Sequence, residues 1–181
     1  MPVERVPPQP DPSRMTEFAG HPLVVSAVPG QSPLVALTAA SLARATAAPA
    51  VYFAYVDTSR YTVEEFTDGT VHHEPVDPDL AGDEARKTEQ RLTALVREWM
   101  DGQDVPWFFR YLAGREDRAL THLARAVDAA AFVIGAQTHG HRRVRDFLGS
   151  SLAANLSHRQ HRPVLVVPVQ VVDWRGRAPW E

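Results

Sequence analysis

Along the chain, short and almost unbroken apolar runs alternate with segments of helical period. The first run, P-L-V-V-S-A-V from Pro22, is broken by P-G-Q-S and followed by an alanine-rich helical pattern through Ala47. The second, A-V-Y-F-A-Y-V from Ala50 to Val56, is rich in β-branched and aromatic residues and stops at Asp57. Leu92, Leu95, Val96, Trp99 and Met100 recur at i, i+3, i+4, i+7 and i+8, one face of an amphipathic helix that precedes a third run, V-P-W-F-F-R-Y-L. Leu120, Leu123, Ala124 and Val127 mark another helix face before the fourth run, A-A-F-V-I. The segment S-S-L-A-A-N-L-S-H-R-Q-H then reads as a short helix. P-V-L-V-V-P-V-Q-V-V reads as a fifth strand, extending from Val164 to Val172.

Strands that are apolar on both faces must be covered on both faces. Their alternation with amphipathic helices therefore predicts parallel βαβ units in a single doubly wound α/β domain over residues 21–172. Residues 1–20 hold five of the fifteen prolines and no apolar periodicity, which predicts a mobile or surface-draped arm; residues 173–181 form a tail. The long connection after the second strand, Y-T-V-E-E-F-T-D-G-T-V-H-H-E-P, carries the two-residue turn signal Asp68-Gly69. A small hairpin is expected there, with Phe66 opposite Val71, Glu65 opposite His72 and Glu64 opposite His73 on a solvated face.

Composition narrows the chemistry. A chain of 181 residues supports one domain with a real core. With no cysteine, disulfides, thiolate nucleophiles and Cys-based zinc sites are excluded. Lys87 is the sole lysine and no G-K-[ST] triplet occurs, so the chain has little choice of amine for P-loop or Schiff-base chemistry. The formal net charge of −3 predicts no general nucleic-acid binding. No apolar run approaches the roughly 20 residues that span a bilayer, and the N-terminus lacks the apolar core of a signal peptide, so a cytoplasmic protein with no membrane partner is expected.

In doubly wound sheets, ligands bind beyond the carboxyl ends of the strands where the strand order reverses. The loops A-V-P-G-Q-S and Y-V-D-T-S, and the stretch G-A-Q-T-H-G-H-R-R-V-R-D-F-L-G-S-S from Gly135 to Ser151, lie at such ends. Gly149, Ser150 and Ser151 precede a helical segment, where backbone N–H groups, hydroxyls and the helix dipole favour an anion. Between His139 and Arg162 lie five arginines, four histidines and one acid, Asp146. Guanidinium forks beside a helix N-terminus suit phosphate. On the plainer reading, Gly135 ends a strand, Ser150 is a cap, and Arg159, His161 and Arg162 complement a helix C-terminus. His139, His141, His158 and His161 have no carboxylate or cysteine set to complete a metal site. No nucleophile elbow and no paired carboxylates point to an enzyme.

The segment F-V-I-G-A-Q-T-H-G-H-R-R-V-R-D-F-L-G-S-S-L-A-A-N-L-S-H-R-Q-H-R-P-V-L-V-V-P resembles the C-terminal signature of the universal stress protein (UspA-like) family: a G-x-x-G-(nine residues)-G-[ST] phosphate motif, a helix and a final strand. The resemblance extends from about Pro22 to Val169. It implies a five-stranded parallel sheet of order 3-2-1-4-5, the hairpin after strand 2 being an insertion. It also implies a stress-response module that binds ATP or AMP, with magnesium only if ATP is the ligand. By resemblance, Gly149, Ser150 and Ser151 hold phosphates with Gly140 nearby, Ile134 and Gly135 contact ribose and phosphate, Val56 offers backbone contacts to adenine, and Val28 and Pro29 occupy the turn after the first strand.

Two departures bear on these roles. Pro29 stands where nucleotide-binding members have an aspartate, and it offers neither carboxylate nor N–H. Thr138 replaces the second glycine, with Gly140 two residues on, and Gly149 falls one residue later than the pattern expects. The alternative is a nucleotide-independent dimeric interaction protein of the same fold; a further one is an anion or acidic partner held by Arg142, Arg143 and Arg145. Family members often dimerise through the last strand, and the apolar fifth strand at a sheet edge predicts a homodimer here, with Trp174 and Trp180 across the contact.

Overall fold

The computed structural model describes residues 9–77, 82–136 and 152–169. Within them the elements run β1 (Leu23–Ser26), α1 (Pro33–Ala45), β2 (Val51–Asp57), β3 (Arg60–Glu65), β4 (Val71–Pro75), α2 (Gly82–Trp99), β5 (Trp107–Ala113), α3 (Glu116–Ala126), β6 (Ala131–Gly135), α4 (Leu152–Arg159) and β7 (Val164–Val167). The arm contributes a short 3-10 helix, Pro12–Arg14, whose N-cap Asp11 accepts from the Ser13 N–H, and Gly20 donates to the Thr46 carbonyl.

The main sheet is parallel and five-stranded, in the order β5-β2-β1-β6-β7. With the hairpin strands set aside this is the expected 3-2-1-4-5. Alternation along each strand sorts the core into two layers. Leu23, Val25, Phe53 and Val133 face one way and pack with Ala36, Ala39 and Val96 of α1 and α2. Val24, Ala54 and Phe132 face the other and pack with Leu120, Leu123 and Leu156 of α3 and α4. The predicted helix faces are the buried ones: Leu92, Val96 and Met100 are inside, as are Leu120, Leu123 and Ala124.

The hairpin β3–β4 exists, but its register differs by one residue from the pairing read in the sequence. Phe66 bonds Thr70 through its N–H, leaving a three-residue loop, Thr67 to Gly69, closed by the Gly69 N–H on the Phe66 carbonyl. Gly69 has φ +80 and abuts the Leu123 side chain, so both the turn and the contact with α3 require the missing Cβ. Glu65 consequently opposes Val71 and Glu64 opposes His72; an irregularity between Thr62 and Glu64 then sets His73 opposite Thr62. His73 thereby leaves the solvated face expected for it and becomes half-buried.

The last strand is shorter than expected. Its ladder with β6 ends at Gly135 opposite Val167, where Pro168 supplies no N–H to continue it. Residues 170–172, and with them Trp174 and Trp180, lie outside the described residues.

Candidate functional site

The order of the sheet reverses between β1 and β6, so a crevice opens at their carboxyl ends, flanked by β2. The chain leaves β1 through Ala27, whose N–H bonds the Ala54 carbonyl, into a tight turn closed by the Gln31 N–H on the Val28 carbonyl at 3.2 Å. Pro29 at the second turn position and Gly30 at the third, with φ +75, define a type II turn. Ser32 then caps α1, its hydroxyl accepting from the Leu34 N–H, and Pro33 follows at the first helical position.

Several residues picked out by the sequence converge here. Val28 is half-buried and Pro29 exposed at the end of β1, Val56 is buried near the end of β2, and Ile134 and Gly135 end β6. A Cβ at Gly135 would lie 3.1 Å from Val35 and 3.3 Å from Val169, so this glycine is set by close packing of α1 and the chain after β7. Gly140, Gly149, Ser150 and Ser151, like Arg142, Arg143 and Arg145, lie outside the described residues.

Gln31 is the residue the sequence reading missed. Its amide nitrogen donates to the Ser26 carbonyl at 2.9 Å and its amide oxygen accepts from the Val28 N–H at 3.2 Å. Two backbone groups at the tip of β1 are thus satisfied from within. The same amide approaches to 3.4 Å of the Cβ position at Gly135, so it sits across the crevice between β1 and β6.

The second loop singled out, after β2, builds a polar network. Asp57 accepts from the Ser59 N–H at 2.9 Å, the Ser59 hydroxyl at 2.6 Å and the Tyr111 hydroxyl at 2.6 Å. Burial pushes its carboxyl up, but the Ser59 and Tyr111 hydrogen bonds and the nearby Arg60 charge outweigh it and hold the pKa below the ordinary carboxylate range. Burial and the Asp57 hydrogen bond push the Tyr111 phenol upward, so it stays a neutral donor. Arg60, almost fully buried, donates from Nε to His73 Nδ1 at 2.7 Å, and the His73 ring lies against Tyr111 with centroids 5.1 Å apart. Burial, then the Arg60 charge, lowers the His73 pKa.

Two arginines of the basic segment before β7 lie among the described residues. Arg159 reaches the Asp117 carboxylate at 3.3 Å, and Arg162, buried, donates from Nε to the Ala129 carbonyl at 2.6 Å. Both serve structural contacts away from the crevice. Among the described residues no group of His, Asp or Glu could hold a metal ion, and no helix is long and apolar enough to cross a membrane.

The reversed parallel sheet with its crevice places the chain among doubly wound α/β proteins. More narrowly, it has the universal stress protein fold. A universal stress protein from Archaeoglobus fulgidus superposes with a TM-score of 0.57 at 18% identity, over 82% of this chain and 93% of that one. A universal stress protein in complex with cAMP matches at 0.54 and 19%, over 84% and 99%. The A. fulgidus protein in complex with dAMP matches at 0.50 and 21%, over 81% and 96%. No family model and no curated protein matches the chain.

Proposed function

We propose that the protein is a stress-response regulatory module that binds an adenine nucleotide, ATP or AMP, in the crevice between β1 and β6. The observation that carries this reading is the convergence of Val28, Pro29, Val56, Ile134 and Gly135 at the point where the sheet order reverses. The adenine nucleotides held by two proteins of the same fold support it. The phosphates belong at Gly149 to Ser151, ahead of α4, and magnesium enters only with ATP. The module is not an enzyme: no lysine stands in its phosphate motif, so hydrolysis is slow and incidental. It works in the cytoplasm.

Gln31 favours a second reading. With the Ser26 carbonyl and Val28 N–H already bonded to its amide, and Pro29 in place of an acid, the base-binding side is closed by the protein itself. On this reading the protein is a nucleotide-independent dimer that acts through protein contacts. Calorimetry of the purified protein with ATP, AMP and cyclic AMP separates the two: micromolar affinity for one of them supports the first. No heat at millimolar nucleotide, with none extracted from the purified protein, supports the second.

Both readings include a homodimer through β7. This strand lies at the sheet edge with Leu165 and Val166 exposed, and Leu34 and Leu37 of α1 extend the apolar surface beside it. Light scattering at micromolar concentration is expected to give twice the chain mass, and Leu165→Lys to give a monomer.

A further inference from the structure

A groove of about 870 Å³ lies away from the crevice, between the hairpin and α3. One wall is a stripe of α3: Arg118, His122 and Arg125 follow at i, i+4 and i+7 on one helix face, with Arg115 just before the helix. Arg159 reaches in from α4. The facing wall is β3, where Tyr61 and Val63 stand 46% and 50% exposed.

The charges on the groove do not balance. Asp117, 5% exposed, is shared by Arg115 at 2.6 Å and Arg159 at 3.3 Å, and Glu65 is taken by His122 at 3.0 Å. Arg118 and Arg125 form no ion pair among the described residues. Among the described residues lining the groove, four arginines therefore face two carboxylates, on a chain whose net charge is −3. The buried His122 Nε2 also has no hydrogen-bond partner among the described residues.

From this we infer that the groove between β3 and α3 docks an acidic peptide segment of a protein partner, its carboxylates on Arg118 and Arg125 and an apolar side chain against Tyr61 and Val63. Small-molecule sites are lined mainly by apolar groups and enclose their ligand. This groove is open and lined largely by charged and hydroxyl-bearing side chains, which suits a chain that stays half in water. Arg118 and Arg125 are separated by seven helical residues, about 10 Å. That is the span of about three residues of extended peptide.

The test uses the full chain and a terminally blocked hexaglutamate peptide followed by calorimetry, with hexalysine and pyrophosphate as controls. Hexaglutamate is expected to bind, to weaken several-fold on raising salt from about 0.15 to 0.5 M, and to be lost at least tenfold in Arg118→Glu/Arg125→Glu. Both arginines are exposed, so this variant keeps the wild-type circular dichroism; Arg118→Ser/Arg125→Ser serves if it does not, with the same loss expected. Hexaglutamate binding that survives in the folded double variant overturns the proposal. So does its absence in the wild type, or pyrophosphate binding that is as tight and is lost in the same double variant. Nucleotide affinity, whichever value it takes, is expected to be unchanged by the double variant, which keeps this test separate from that of the crevice.

Discussion

The two sides of the sheet's carboxyl end are finished in opposite ways. Between β1 and β6 the chain closes on itself with neutral groups: a Pro-Gly turn, a glutamine amide on two backbone groups, and a glycine in close contact with Val35 and Val169. Between β2 and β5 it closes with ionisable groups, Asp57, Tyr111, Arg60 and His73, under a hairpin that covers the edge strand. Neutral closure is insensitive to pH and leaves little slack. Ionic closure tolerates some exposure but makes its stability depend on protonation. A ligand entering the first side must displace packing or Gln31, whereas the second side responds to acid.

The comparison can be broken hardest at Gly135. Gly135→Leu forces a side chain against Val35 and Val169 and is expected to cost about 2–3 kcal/mol in urea unfolding; an unchanged midpoint would show that this region yields easily. On the ionic side, Asp57→Ala strips the Ser59 and Tyr111 hydroxyls of their acceptor and is expected to cost about 2 kcal/mol, read the same way. Gln31→Ala should cost only about 1 kcal/mol, yet it frees the Ser26 carbonyl and Val28 N–H. Adenine nucleotide affinity is expected to rise in this variant if the amide is what blocks the crevice, measured by calorimetry against the wild type.

The smallest effect is the pH dependence. The folded-state pKa of His73 lies below its unfolded value, so the unfolded chain binds the extra proton first. The stability His73 confers is complete above the ordinary imidazole value, about pH 6.5, and is lost as pH falls through the lower folded value. Asp57, also lowered, keeps its contribution until pH drops below the ordinary carboxylate value, about 3.9. Thermal melts are expected to show two acid-sensitive windows; His73→Asn should shrink the upper one to what His161, whose pKa burial also lowers, contributes, while leaving the lower.

What the sequence made legible follows the same division. The layered core was readable because it depends on period alone: Leu92 and Val96, or Leu120 and Leu123, announce a buried face wherever they occur. The hairpin was readable from Asp68-Gly69, but not its register, because a two-residue and a three-residue loop share that signal and only the seat of Gly69 on Leu123 chooses between them. The partners of Asp57 could not be read, since Tyr111 is 54 residues away and His73 meets it only through the shifted hairpin. Gln31 was locally encoded and overlooked beside Pro29. Within the basic segment, Arg159 and Arg162 bond to α3 and to the Ala129 carbonyl ahead of β6, contacts that nearness in sequence does not announce.

The proposed adenine-nucleotide site lies where β1, β2 and β6 end. Titrating AMP into the isotopically labelled protein and following the backbone amide resonances tests it most directly. Saturable shifts at micromolar AMP, concentrated at Ala27 to Gln31, Val56, Ile134 and Gly135, are the predicted result. Spectra that do not move at millimolar AMP, or shifts confined to the hairpin and α3, would contradict it.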